Sequence, residues 1–93
     1  MAYTFEWHAA KAAANVRKHG VTFDEASTVF ADPLALLMPD PDHSEGEERY
    51  VLLGMSSRPR LLVVAFSERP PRTRLISARR ASRLERRRYE TKG

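Results

Sequence analysis

The chain has no cysteine, which removes disulfides, thiolate nucleophiles and zinc–thiolate sites from consideration. Glycine is scarce, four in 93 residues, and no Gly-rich run is present that could cradle a nucleotide phosphate. Long apolar stretches are missing too: the longest runs from Leu61 to Phe66, far short of a membrane span. The first residues include Glu6 and do not read as a signal peptide, so a cytoplasmic location without membrane contact is expected. No cofactor or metal is expected. His43 stands among Asp40, Asp42, Glu45, Glu47 and Glu48, a spacing that matches no known cage. That segment reads as a solvated acidic turn, or as a brace in which Glu47 and Arg49 pair.

What is present is charge, unevenly placed. From Arg69 to the end the chain carries ten Lys and Arg against only Glu85 and Glu90, a local +8 that leaves −4 for the rest of a chain totalling +4. Such a split gives one strongly positive region, and RNA is the leading partner for it. With 42% apolar and 30% charged residues the composition is that of a globular protein. A length of 93 residues has room for one core, so residues 1–93 are read as a single domain.

Periodicity places the elements. Tyr3, Phe5 and Trp7 alternate with Thr4 and Glu6, which predicts a strand over Ala2–Trp7. Ala9–His19 reads as a helix ending in cations with Gly20 beyond it, its apolar stripe formed by Ala9, Ala12, Ala13 and Val16. Thr22-Phe-Asp-Glu25 is a capping-box pattern opening a second helix, which Asp32-Pro33 stops. Strands follow at Leu34–Met38, Arg49–Met55, Arg60–Glu68 and Thr73–Arg79, with short links that favour antiparallel neighbours. Ser82-Arg-Leu-Glu85 is a second capping box and starts the last helix. The fold class is therefore α+β, in the order β-α-α-β-β-β-β-α. An antiparallel sheet of four to five strands carries two N-terminal helices on one face and a C-terminal helix. The aromatic residues Tyr3, Phe5, Trp7, Phe23, Phe30 and Phe66 are assigned to the core by the same periodicity.

Several stretches together resemble the BrnT toxins. The first half is carried by Phe5-Glu6-Trp7, Asn15, Lys18-His19-Gly20, Phe23, Ala26 and Phe30-Ala31-Asp32-Pro33. The second half follows in Asp42-His43-Ser44, Gly46-Glu47, Arg49, Gly54-Met55-Ser56, the Leu62–Phe66 run and Ile76-Ser77-Ala78-Arg79, with Glu85 and Tyr89. The resemblance implies a RelE-like ribonuclease toxin of a type II toxin–antitoxin system. It also implies a BrnA-like ribbon-helix-helix antitoxin that blocks the toxin and represses its operon, so that DNA is reached only through the antitoxin. The family commonly has Asp after the Trp, where this chain has His8, so any contact that Asp makes at the helix start is in question here.

Metal-independent RNA cleavage needs a base for the 2′-hydroxyl, cations around the phosphorane-like oxygens and an acid for the leaving 5′-oxygen. Arginine suits the middle role because its planar fork grips two phosphate oxygens and stays charged. Arg79 and Arg80, at the strand-to-helix joint, are the first candidates. Glu68 ends the most apolar strand beside Arg69 and Arg72, and is read as a catalytic group or an orienter of guanidinium groups. Arg49, Lys18 and His19 complete the catalytic candidates, the last two also reading as cations that cap a helix C-terminus. Arg74, Arg83 and Arg87 are the RNA-binding candidates. A non-catalytic nucleic-acid-binding or protein-binding module remains as the alternative function, since it accounts for the charge without an acid–base pair.

Overall fold

The computed structural model describes residues 3–40 and 48–92. His43 and Glu47, one half of the proposed Glu47–Arg49 brace, lie outside those residues. The elements are β1 (Phe5–Glu6), α1 (Ala9–His19), α2 (Phe23–Ser27) continuing into a 3-10 turn (Thr28–Ala31), β2 (Leu36–Pro39), β3 (Arg49–Met55), β4 (Leu61–Arg69), β5 (Arg72–Arg80) and α3 (Arg83–Lys92). The strands form one sheet in the order β1-β5-β4-β3-β2. The element order and the α+β architecture are those read from the sequence.

The sheet differs from expectation at one edge. β2 to β5 are antiparallel, but β1 joins β5 in parallel through Phe5↔Thr73 and Glu6↔Arg74. Short links impose hairpins on consecutive strands. β1 and β5 are separated by most of the chain, so no link dictates their direction, and the sheet is mixed.

Both faces of the sheet are covered, unequally. Leu52, Leu62, Val64, Phe66, Leu75 and Ala78 meet Val21, Phe23, Ala26 and Val29 in the larger core, under α1, α2 and the 3-10 turn. Alternate residues Leu53, Leu61 and Val63 face the other way and pack with Leu36, Met38, Val51, Met55, Ala81 and Tyr89, the last from α3. Phe23 and Phe66 are buried; Phe5, Trp7 and Phe30 lean on the same core, whereas Tyr3 is half exposed. Among the described residues no helix is long and apolar enough to cross a membrane.

The capping signals take different forms in the two helices. Ser82 Oγ accepts from the Glu85 N–H (3.2 Å) and Glu85 Oε1 accepts from the Ser82 N–H (2.8 Å), a complete reciprocal box. At α2 only half of it forms: Thr22 Oγ1 accepts from the Glu25 N–H at 3.0 Å. The Glu25 carboxylate instead accepts from Ser56 Oγ (2.7 Å) and from Arg60 Nε (2.9 Å) and Nη2. The Arg60 hydrogen bonds are the main reason its carboxyl lies below the ordinary value, against the opposing effect of burial. This part-buried pair ties α2 to the β3–β4 turn.

The stripe expected on α1 is corrected. Val16 is 44% exposed while Asn15 is buried, and Ala9 and Ala13 are also exposed. Asn15 Nδ2 donates to the carbonyls of Val21 (2.9 Å) and Ala78 (2.8 Å), and its Oδ1 accepts from the Ala78 N–H (3.0 Å). Three buried hydrogen bonds, two of them to the Ala78 backbone on β5, outweigh the burial of one valine. The Ala12–Asn15 side therefore faces the sheet.

At the other end of α1 the N-cap is His8, whose side chain makes no cap hydrogen bond, and no acid lies in the first turn. A His8→Asp substitution is expected to stabilise the fold by about 1 kcal/mol, by accepting an orphan N–H and by complementing the dipole. A thermal melt should show a gain of several degrees. An unchanged midpoint would mean that the helix start is already satisfied.

On the opposite side, Asp32 does more than end a helix. It accepts from the Leu34 N–H (2.9 Å), the Met55 N–H (2.7 Å) and the Tyr89 hydroxyl (2.6 Å), joining the 3-10 turn, β3 and α3. That hydrogen bond pushes the Tyr89 hydroxyl up to about 12. Gly54 makes this junction possible, since a Cβ there would stand 2.9 Å from Val29 Cγ1 and from the Ala35 Cβ. Pinned at Tyr89 and at its N-terminal box, α3 lies across one end of its face, and no other helix among the described residues packs on the rest.

Candidate functional site

Strand register arranges the α3-side face in rows. Met55 and Leu61 pack with Ala81 and with Tyr89 of α3; beyond them Leu36, Leu53, Val63 and Arg79 form the first row, Met38, Val51, Ala65 and Ser77 the next, and Arg49, Ser67, Arg74 and Glu6 the third. A concavity of about 270 Å³ opens on this face, lined by Met38, Pro39, Asp40, Val51, Val63, Arg79, Glu85 and Arg88. Its floor is apolar and its rim is charged.

Arg79 is held in one orientation. Its Nη1 donates to Glu85 Oε1 (2.9 Å) and to the Arg80 carbonyl (3.3 Å), and its Nη2 donates to Glu85 Oε2 (2.8 Å). The guanidinium has five N–H donors, so the Nε–H and one Nη2 hydrogen remain unassigned. The Arg79 side chain is 44% exposed. The Arg79 hydrogen bonds, aided by the Ser82 N–H, hold the Glu85 carboxyl down to about 2. At neutral pH Glu85 is an orienting carboxylate and not a proton acceptor. Arg88 follows Glu85 by three residues and so lies on the same side of α3, which brings it to the concavity.

The remaining candidates fall in several places. Arg80 lies opposite Leu62 and so points to the face away from Arg79. Arg49 lines a neighbouring concavity of about 280 Å³ with Pro39, Asp40, Glu48 and Tyr50, so Pro39 and Asp40 border both. Arg74 is in the third row, its Nε donating to Glu6 at 3.0 Å. Arg83 and Arg87 are exposed on α3. Lys18 and His19 line a separate concavity of about 240 Å³ between α1 and β5, with Lys11, Asn15, Ile76 and Ser77. Glu68 accepts from Thr73 Oγ1 (3.1 Å) and borders an aromatic groove with Tyr3, Phe30 and Phe66 on the α1–α2 side. The structure thus puts Arg79 and Arg49 on one face of the sheet, at neighbouring concavities, and leaves Arg80, Glu68, Lys18 and His19 elsewhere. Arg88 and Glu85 are the additions, and their i, i+3 spacing behind a capping box is the signal that finds them. Among the described residues no group of three or more His, Asp or Glu side chains is placed to hold a metal ion.

Residues 7–85 match the family described as ribonuclease toxin, BrnT, of type II toxin-antitoxin systems. The chain belongs to the BrnT family. In structure it is similar to the ribonuclease toxin BrnT of Brucella abortus, with a TM-score of 0.67 over 88% of this chain and 100% of that one, at 21% identity. That likeness speaks for the fold, and it agrees with the architecture read from the sequence. No curated protein matches the chain by sequence. As a BrnT toxin the protein is a ribonuclease of a type II toxin–antitoxin system, with RNA as substrate and an antitoxin as partner.

Proposed function

We propose that this BrnT toxin cleaves RNA by metal-independent transesterification, centred on Arg79 at the open concavity beside α3. The 2′-hydroxyl attacks the adjacent phosphorus, the P–O5′ bond breaks, and the products are a 2′,3′-cyclic phosphate and a 5′-hydroxyl. The proton lost by the 2′-oxygen passes to solvent or a base, and the leaving 5′-oxygen takes one up. The observation that carries this reading is the Arg79 fork, fixed by Glu85 with two N–H donors unpaired among the described residues, and lining one concavity with Arg88. Donors held in place before the reaction stabilise the charge that builds on the non-bridging oxygens without having to reorganise. Arg83 and Arg87 extend the positive field along α3 and hold more distant phosphates. The antitoxin is proposed to be BrnA-like, a ribbon-helix-helix protein through which the pair reaches DNA; family membership supports this.

Expression of the chain without its antitoxin tests the function: growth arrest with loss of RNA is expected. The purified toxin should cleave single-stranded RNA in EDTA and leave cyclic-phosphate ends. Activity abolished by EDTA, or fragments ending in a 3′-hydroxyl, would contradict the mechanism.

Glu85 is proposed as a positioning residue. Glu85→Gln keeps the capping box, because Gln serves equally at that position, but weakens the grip on Arg79. We expect kcat to fall about tenfold with KM little changed, the loss of one charge-assisted hydrogen bond, and a melting temperature within a few degrees of wild type. Equal losses in activity and in melting temperature would make Glu85 a structural residue only.

A further inference from the structure

The third row of the α3-side face is unusual in its hydrogen bonding. Ser67 is 0% exposed, and its Oγ has no partner among the described residues. Directly opposite on β3, Arg49 Nε is also buried and has no partner among the described residues. On β5 the facing residue is Arg74, whose Nε is held by Glu6 while its Nη groups have no partner among the described residues. An unpaired hydroxyl therefore lies between two arginines, on a floor small enough for both guanidinium groups to approach. Buried donors and acceptors are nearly always satisfied, because leaving them unpaired costs the full desolvation penalty. Two orphans at facing positions point to an absent anionic group.

A β-bulge aligns this row with Arg79. The register changes between Ala65 and Phe66: Ala65 faces Ser77 while Phe66 faces Leu75, so Ile76 is the extra residue. Side chains alternate along a regular strand, and positions 74 and 79, five apart, would then point to opposite faces. The bulge restores Arg74 to the Arg79 side, a re-aiming that such bulges commonly provide. On β4 the two rows are separated by the step from Val63 to Ser67, about 13 Å at the usual rise of a strand. Between them lies the row Met38, Val51, Ala65 and Ser77, which carries no charge.

We infer that Arg49, Ser67 and Arg74 form a second phosphate subsite, so that the RNA strand runs along the β-strands from Arg79 with its bases and sugars over the uncharged middle row. The inference rests on the cleavage centre proposed at Arg79 and adds the path of the substrate. Arg49 then binds a phosphate two nucleotides from the scissile one and does not touch the reacting atoms. Glu6 orients Arg74 as Glu85 orients Arg79.

The test is binding of non-cleavable 2′-O-methyl oligonucleotides, a dinucleotide and a pentanucleotide, to the full chain. Wild type should bind the pentanucleotide more tightly. Arg49→Gln should lose about tenfold for the pentanucleotide, the worth of one charge-assisted phosphate contact, and nothing for the dinucleotide. The log–log salt slope for the longer strand should fall by about 0.7. Ser67→Ala should melt a few degrees higher, its orphan hydroxyl gone, and yet lose part of the same gain with length. Retention of the full gain by either variant, or equal losses for both lengths, would overturn the subsite. A wild type that cleaves through Arg79 but binds both lengths equally rejects the subsite and keeps the cleavage centre. A wild type that binds neither rejects both.

Discussion

Arg79→Ala is expected to slow RNA cleavage by about 10²–10³-fold, the range seen when one preorganised oxyanion donor is removed. The loss should appear in the single-turnover rate and not in the melting temperature. Arg79 and Glu85 form a pair at the surface, with side chains 44% and 27% exposed, and such pairs add little to stability. Arg79→Lys keeps the charge but not the planar fork, so it should recover only part of the rate. Undiminished cleavage by Arg79→Ala, or loss of rate in step with loss of fold, would remove Arg79 from the chemistry.

The second large effect concerns the scaffold. Asn15→Ala leaves the Val21 carbonyl and both peptide groups of Ala78 without their side-chain partner in a buried place. The expected cost is about 3–5 kcal/mol, a large part of the roughly 5–14 kcal/mol available to a domain of this length. The melting midpoint should drop by about 15–20 °C. Asn15→Asp tests the same geometry through pH. Its carboxylate would face two carbonyls, so the folded state should prefer the protonated form and raise the pKa. A group raised on folding stabilises below its unfolded pKa and loses that contribution as pH rises, so this variant should recover stability in acid. A small, pH-independent change in either variant would show that the bracket carries little of the fold.

Much of this structure was legible because local chemistry and tertiary structure agree. The box at Ser82 and Glu85 marked the start of α3 and placed Arg79 at the joint. His19 and Gly20 marked the end of α1, where Gly20 takes a φ of 71° and closes the cap onto the Val16 carbonyl. The α1 face was misread because apolar periodicity assigns Val16 inward, whereas Asn15 is drawn in by a peptide on β5, 63 residues away. Asparagine is a poor helix former because its side chain competes for backbone hydrogen bonds, and its position inside α1 was the available hint. Glu25 followed the capping pattern but found a stronger partner in Arg60, a contact that no local rule contains.

The site was legible in composition more than in geometry. Arginine density pointed to the last strand and helix, but with the strand expected to end at Arg79 the pattern could not show that it runs on through Arg80, which alternation then sends to the opposite face. Nor could it show that Ile76 is a bulge that returns Arg74 to the Arg79 side, since a bulge depends on the partner strand. Glu68 reads as a neighbour of arginines along the chain. In space it borders the aromatic groove across the sheet.

The central claim is that RNA lies on the α3-side face between Arg79 and Arg49. Methyl spectra recorded during titration with a non-cleavable oligonucleotide test it most directly, because alternate residues report on opposite faces. The account predicts shifts in the Val51 and Val63 methyls, which line the Arg79 concavity, with those of the exposed Leu37 on the other face unchanged. Shifts at Leu37 with Val51 and Val63 silent would place the RNA on the aromatic groove and contradict it.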